Sequence, residues 1–539
     1  MVAGPVFKDT FGGLAYGLLL LLLVGTTLAC NQKNLDTKAN TADLVGDGKA
    51  DDSAALQKLL QRGGKITIPK GTYRISSTVI VNPEVLEVSA EGATFVAAPR
   101  STYILFSVQA PNKRLIWRGG TFDGNKDQQV YPGHPNPVYE GKWQQNVTNN
   151  GLIGNKNFAA EYVLIEGVTL RNFVSDGSCI RADLAEFRNC QAFDSAVPRD
   201  RYPQAFKFRS DGIPLQQKRN FRVGNCQAER VYIGLGVAAK EVGLQTYLEV
   251  DNFYSRQTGK SSIHLEHIAH ADIRRINCTA DGTVHSSRIF VGNQNREFRL
   301  SDFQLEGGFI RGAKNSELME ITDGQISNTQ AFDYAIRQGG KAANAVVKNV
   351  IVEACKGGIK ASQVRSCIVR DAQGAAFADV VTLESSRAER AAVGALDCKV
   401  IRQTVFREST KGVHQIKGKQ QVTDCQFEGC FQPVLVEDRA QVLTVRNSSF
   451  ADRGAKANDV DAAATVTIRD NKFVQSDGGT GKQRASRNAL ATKSKAVRIV
   501  AADQAPISIE GNDITGLPKP FAVPQISERE LKKENTIRP

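Results

Sequence analysis

A phenylalanine that returns every 21 to 23 residues constrains this chain more than any other feature. Phe406, Phe427, Phe450 and Phe473 each close a short motif of the form apolar–x–x–small–x–Phe, opened by Ile401, Val422, Val445 and Ile468. Similar β-rich runs occur upstream at 168–170, 189–192, 225–228, 277–280 and 366–369, with spacings stretched by insertions in some turns. A unit this short cannot bury its apolar face alone, so neighbours must stack to make a continuous core. The regular Leu-x-x-Leu-x-Leu spacing of a leucine-rich repeat is absent. The pattern predicts an all-β chain: a right-handed parallel β-helix, a single-stranded solenoid with about three short strands per coil.

Size and cysteine usage follow from that frame. The 539 residues fit one elongated stack better than several domains, and the 47 glycines mark repeated turns. Cys190, Cys226, Cys278, Cys367 and Cys425 fall at one apparent register, and Cys355 and Cys430 lie five residues after matching positions, Val350 and Cys425. Stacked equivalents would form an internal ladder of small apolar side chains. Setting Cys30 aside leaves nine cysteines, so complete pairing within one chain is impossible. No Cys-x-x-Cys spacing suggests a metal site.

Residues 12–29 hold one apolar run, 18–24, too short and too Gly-rich for a membrane span. Small residues then lead to Cys30 in the order Thr26, Thr27, Leu28, Ala29. This is export-signal anatomy. Its ending resembles a bacterial lipoprotein box, with Thr27 where such boxes usually carry Leu. The resemblance implies a signal peptide over 1–29, lipid on Cys30, a linker over 30–45 and a place at the outer membrane or cell surface. A plain signal peptide, giving a periplasmic or secreted chain, is one alternative, and an uncleaved anchor is another.

The segment 46–75 carries Gly46-Asp47-Gly48, Asp51-Asp52, Ala54-Ala55-Leu56-Gln57, then Gly63-Gly64-Lys65-Ile66-Thr67-Ile68-Pro69-Lys70-Gly71-Thr72-Tyr73. Asp52 or Ser53 reads as an N-cap, followed by apolar residues at helical spacing. Gly63-Gly64 ends the helix, a strand follows, and Pro69-Lys70-Gly71 turns the chain. Such a helix would plug the open end of the stack and protect its strand edges. Asp47, Asp51 and Asp52 read as turn and cap chemistry rather than catalysis. The segment resembles the opening module of the pectate lyase-like β-helix superfamily, Gly-Asp-Gly-x-x-Asp-Asp-x-x-Ala-Leu/Ile-Gln and Gly-Gly-x-Ile/Val-x-Ile/Leu-Pro-x-Gly-x-Tyr. That family holds polysaccharide lyases, polygalacturonase-like hydrolases, epimerases, phage tailspike glycanases and non-catalytic members, so the resemblance implies the fold and leaves the reaction open. The coil stack is expected over 46–515, with a loop inserted at 126–150 and a tail over 516–539 containing a short charged helix.

Glycans bound by such folds lie along a groove formed by one sheet and its flanking turns. Five segments are expected at equivalent turns of successive middle coils: 172–177, 192–195, 205–212, 259–267 and 281–288. They contain Asp176, Asp194, Lys207, Lys260, His264, His285 and Arg288 as catalytic candidates. Four of the six histidines, His264, His267, His270 and His285, fall within 22 residues. The alternation of Ile263 and Leu265 with His264 and Glu266 predicts that the polar pair points outward. Arg199, Arg201, Arg209, Asp211 and Glu266 are substrate-binding candidates. Tyr139 and Trp143, on the inserted loop, are candidates for stacking on sugar rings.

Two chemistries use these residue types. An inverting hydrolase needs one protonated and one ionised carboxyl with water between them, and Asp176 with Asp194 or Asp211 is the pair on offer. The order of these segments loosely resembles the polygalacturonase layout, without its Gly-His-Gly and Arg-Ile-Lys motifs. β-Elimination instead requires neutralisation of a uronate carboxylate, by Arg, Lys or bound calcium, and a base to remove the C5 proton. Net charge of +13, six of it over 482–498, suits an acidic polysaccharide. No aromatic-basic nucleic-acid motif is visible. The sequence therefore predicts an exported monomer acting on an acidic polysaccharide: a lyase first, a hydrolase second, a non-catalytic glycan-binding or surface-structural solenoid third.

Overall fold

The computed structural model describes residues 43–99, 106–108, 113–129, 152–155, 160–174, 176–195, 203–209, 218–238, 246–280, 288–292, 295–312, 317–330, 332–338, 344–452, 459–462, 465–475, 497–501, 507–515, 521–522 and 526–538. Over these residues the chain is a right-handed parallel β-helix, with 41 strands in its largest hydrogen-bonded sheet. Each middle coil has three faces. Strand Arg219–Glu229 covers the first and second by bending at Asn225, and strand Ile233–Ala238 makes the third. The next coil repeats this with Thr246–Arg256 and Ser261–Glu266, paired residue for residue.

The corners explain the repeat. The bend at Asn225 has φ 53°, and the same left-handed conformation recurs in register at Asn189, Asn252, Asp302, Asp323, Asn349, Asp424, Asn447 and Asp470. Asn and Asp tolerate this region better than other non-glycine residues. The Asn225 amide donates to Asn189 Oδ1 at 3.1 Å, and Asn252 donates to Asn225 at 2.9 Å, so the corners also bond to one another.

The residue after the corner turns inward; in the middle coils it is Phe253, Ile276, Phe303 or Val350, and elsewhere it is small and mostly hydrogen-bonding. Cys190, Cys226, Cys367, Ser386, Thr404, Cys425, Ser448 and Asn471 hold this place. Ser448 Oγ accepts from Cys425 N–H at 3.2 Å and donates to Arg446 O at 2.9 Å. Cys425 Sγ donates to Thr423 O at 3.3 Å, in the same geometry. Cys355, Cys398 and Cys430 follow left-handed residues at other corners. The expectation that Cys278 shares the register of Cys190 is corrected. Arg275 takes the left-handed corner there and Ile276 follows it, while Cys278 sits mid-strand opposite Ser255 and Leu305.

All nine described cysteines are buried. Burial pushes the Cys355, Cys367, Cys398 and Cys425 thiols up to about 12, and Cys179 and Cys278 to about 11. A raised thiol stays protonated, and only the thiolate attacks a disulfide. At pH 8 the nine buried thiols are therefore expected to stay closed to an aromatic disulfide reagent in the native chain and to react in denaturant. Two or more native thiols reacting within minutes would contradict this packing.

The helix expected in the opening module is present. Helix Ser53–Leu60 buries Leu56 and Leu60, and the Gln57 side chain bonds both the N–H and the C=O of Ile80 on the strand beneath. The Asp52 carboxylate accepts from Val45 N–H (2.8 Å) and Gly46 N–H (3.3 Å), and Asp51 from Ser53. All three bonds belong to the turn into the helix. At the far end the stack passes the expected boundary at 515. Helix Glu528–Glu534, with a capping box at Ser527, leads into strand Thr536–Arg538, which pairs with Asp513–Thr515.

Candidate functional site

The third face concentrates the chemistry. Its strands Gln204–Arg209, Ile233–Ala238, Ser261–Glu266, Ile289–Val291, Ile310–Arg311, Ile336–Arg337 and Ile359–Lys360 pair in register. Strand alternation sends Phe206, Leu235, Ile263, Ile289, Ile310, Ile336 and Ile359 into the bore, where all are buried. The residue after Ile289, Ile310, Ile336 and Ile359, and in the earlier coils Lys207, Gly236 and His264, faces the other way. One outward column therefore reads Lys207, Gly236, His264, Phe290, Arg311, Arg337, Lys360.

At one end Lys207 Nζ donates to Asp176 Oδ2 at 2.8 Å, with both residues buried. Asp176 Oδ1 also accepts from Gln204 N–H at 3.0 Å. Gly236 next to Lys207 leaves room for the Gln204 side chain, whose Oε1 lies 1.5 Å from where a Cβ would stand. That oxygen is buried without a hydrogen-bond partner. One coil on, a His264 ring nitrogen, Nε2, lies 3.0 Å from Glu266 Oε1, and Nδ1 is buried without a partner. The His264 bond holds the Glu266 carboxyl below its usual range. Ile263, Leu265 and Ile268 are buried while His264 and Glu266 are not, as the alternation predicts.

A stacked row follows. The His264 ring lies 4.7 Å from Phe290, the Arg288 guanidinium 4.2 Å above Phe290 and 5.5 Å from Phe309, and Phe309 3.8 Å from Phe332. Farther along, Arg337 and Lys356 share Asp333 at 3.6 and 3.7 Å, and Lys360 pairs with Asp379.

Other candidates fall elsewhere. Asp194 is a left-handed corner residue (φ 58°) aligned with Asn172, not with Asp176. Arg230 grips it at 2.7 and 3.2 Å and holds its carboxyl below the ordinary range. The expectation that the five segments are equivalent turns is thus corrected. Asn172 and Asp194 sit at corners, while Lys207 and His264 sit within strands of the third face. Arg209 ends its strand and shares a column with Glu266, and Lys260 immediately precedes the strand of His264. His285, Arg199, Arg201, Asp211, Tyr139, Trp143 and Cys30 lie outside the described residues. Sequence reasoning missed Phe290, Phe309, Phe332 and Arg311. The recurring Ile-Arg, Ile-Arg and Ile-Lys pairs at 310, 336 and 359 were the available signal.

A cavity of about 670 Å³ lies on the second face, lined by Glu353, Arg370, Asp371, Glu389 and Arg390. Its charges are mutually satisfied, with Arg370 bonded to Glu353 (2.7 Å) and Glu389 (3.0 Å) and Arg390 to Asp371 (2.6 Å). No group of three or more metal-ligating side chains occurs among the described residues.

No protein-family model and no curated protein sequence matches the chain. Among solved structures it is similar to the N-terminal fragment of bacteriophage phi29 gene product 12, with TM-score 0.41 and 11% identity over 81% of this chain and 95% of that one. It is also similar to the Streptococcus pneumoniae surface adhesin PfbA, with TM-score 0.37 and 12% identity over 74% and 90%. An endo-xylogalacturonan hydrolase from Aspergillus tubingensis matches with TM-score 0.23 and 9% identity over 88% and 95%. Similarity at this level carries nothing about activity.

Proposed function

We propose that this chain is an exported enzyme that binds an acidic, uronate-containing polysaccharide along the third face and cleaves it by β-elimination. The observation that carries the reading is the placement of His264, braced by Glu266, beside a row of basic and aromatic side chains on one outward column. In this chemistry the cations draw charge from the uronate carboxylate and acidify the C5 proton. His264 takes that proton, the C4–O bond breaks, and the leaving oxygen is protonated by solvent. An unsaturated uronate remains. The buried Nδ1 has no hydrogen bond to lose, so the ring can turn to present a free nitrogen to the groove at the cost of the Nε2 bond to Glu266. Bound calcium would share the task of the cations. Removal of residues 1–29 and lipid on Cys30 form part of the same proposal.

Digestion of pectic, alginate, ulvan and glycosaminoglycan substrates tests it. Ultraviolet absorbance of the unsaturated product must rise together with new reducing ends. Reducing ends without that absorbance would point to hydrolysis and end the lyase reading. The hydrolase alternative has less support, because Asp176 is buried against Lys207 and Asp194 is clamped by Arg230. A non-catalytic glycan-binding solenoid would bind without either product. His264→Ala is expected to lower kcat about 10²-fold or more while leaving glycan binding in place, the usual scale for a lost proton-transfer group. Unchanged kcat in that variant removes His264 from the reaction.

A further inference from the structure

The basic row on the third face is paired at its ends and unpaired in its middle. Asp176 holds Lys207 at one end, and Asp333 and Asp379 hold Arg337 and Lys360 at the other. Between them, Arg288 and Arg311 have no acidic partner among the described residues. Arg311 is exposed, an ordinary place for a lone arginine. Arg288 is not in that position. It is only partly exposed, its Nε is buried with no hydrogen-bond partner, and Arg311 is close enough to repel it.

A buried guanidinium nitrogen without an acceptor is costly. Here burial first, and Arg311 second, push Arg288 down to about 10, so it remains a cation at neutral pH. What offsets the cost is the stack, with Phe290 at 4.2 Å and Phe309 at 5.5 Å from the guanidinium carbon. Phe332, 3.8 Å from Phe309, extends the same row. Cation–π contact fixes the group without neutralising its charge, which leaves its donors available to a planar oxyanion.

We propose that Arg288 and Arg311 form an anionic subsite that takes the carboxylate of one uronate ring of a linear acidic polysaccharide, with the aromatic row holding the first guanidinium in place. The inference rests on the third face being the glycan-binding face, and it names what that face reads. A carboxylate accepts charge-assisted bonds from such a pair and relieves the like-charge repulsion. A sulfate half-ester offers similar oxygens and is the competing source of the anion.

Calorimetric titration of the full chain separates these cases. The probes are oligosaccharides of polygalacturonate, alginate and hyaluronan, their carboxyl-reduced neutral counterparts, and dextran sulfate. At least one carboxylated probe is expected to bind about tenfold or more tightly than its reduced counterpart. Arg311→Gln is expected to weaken that probe about tenfold and leave the neutral form unchanged, the scale of one charged hydrogen bond. Arg288→Gln is expected to lose more. Arg311 is exposed, so its variant carries the test even if the Arg288 variant does not fold. The proposal is overturned if no carboxylated probe binds, if Arg311→Gln keeps full affinity, or if only dextran sulfate responds. Binding lost in Arg311→Gln with no unsaturated product from the parent chain would retain this subsite and remove the lyase reading. Product formed by Arg311→Gln at undiminished kcat/KM would do the reverse.

Discussion

Asp176→Asn is expected to lower the stability of the chain by about 3–5 kcal/mol, read as a shift in the midpoint of chemical denaturation. Asp176 and Lys207 are 4% and 7% exposed and lie 2.8 Å apart. Asparagine keeps an oxygen for Gln204 N–H but leaves the ammonium of Lys207 buried without a counter-charge. The ammonium must then lose its proton or draw water into the strand, and either course is unfavourable. Removing both charges avoids the problem. Asp176→Asn with Lys207→Met is expected to recover most of the loss, because replacing a whole buried pair is far milder than breaking it. The double variant also separates two roles for Lys207. Both residues are sequence candidates for catalysis, yet burial keeps the Lys207 amine away from any substrate on the surface. The double variant should therefore still form unsaturated product. A stable double variant that forms none would put Lys207 in the reaction.

The coil architecture was legible because burial enforces period and register. Ile401, Val422, Val445 and Ile468 all pair as neighbours, and so do the four phenylalanines. The opening module was legible because its turns require particular residues, such as Gly46 and Gly63 at positive φ. Register was harder where two dipeptides look alike. Asn277-Cys278 mimics Asn225-Cys226, but the left-handed bend is taken two residues earlier by Arg275. The site was legible in part for the same reason. Strand alternation oriented His264 and Glu266 correctly. Whether a cation has an acid beside it depends on which coils are neighbours, and insertions of unequal length conceal that. So the lack of an acid beside Arg311 and the place of Phe309 were hidden, while Asp176 and Asp194 looked like a pair and belong to different registers.

Phe427→Ala is expected to cost about 3–5 kcal/mol, the range for removing a buried aromatic ring. Phe427 is 1% exposed, and its ring stacks 5.0 Å from Phe406 and 4.6 Å from Phe450. The surrounding backbone is built around it. A Cβ on Gly412 would meet the Phe427 ring at 2.8 Å, just as one on Gly394 would meet Phe406 at 2.4 Å. Collapse into the vacated space is therefore limited, because strand pairing to both neighbouring coils fixes the walls. In a stack where each coil touches only its neighbours, the damage should also stay local. Hydrogen exchange is expected to rise in strands Val405–Arg407, Gln426–Glu428 and Ser449–Asp452 and to remain unchanged in Thr246–Arg256 and His270–Thr279. Phe406 and Phe450 flank the lost ring from both sides, whereas Phe473 stacks on a single phenylalanine at 4.6 Å and is followed in its column by Ile514. Phe473→Ala should accordingly cost less than Phe427→Ala. A loss below 1 kcal/mol for Phe427→Ala, or faster exchange spread evenly to the distant coils, would mean that the phenylalanine stack is not what couples these coils.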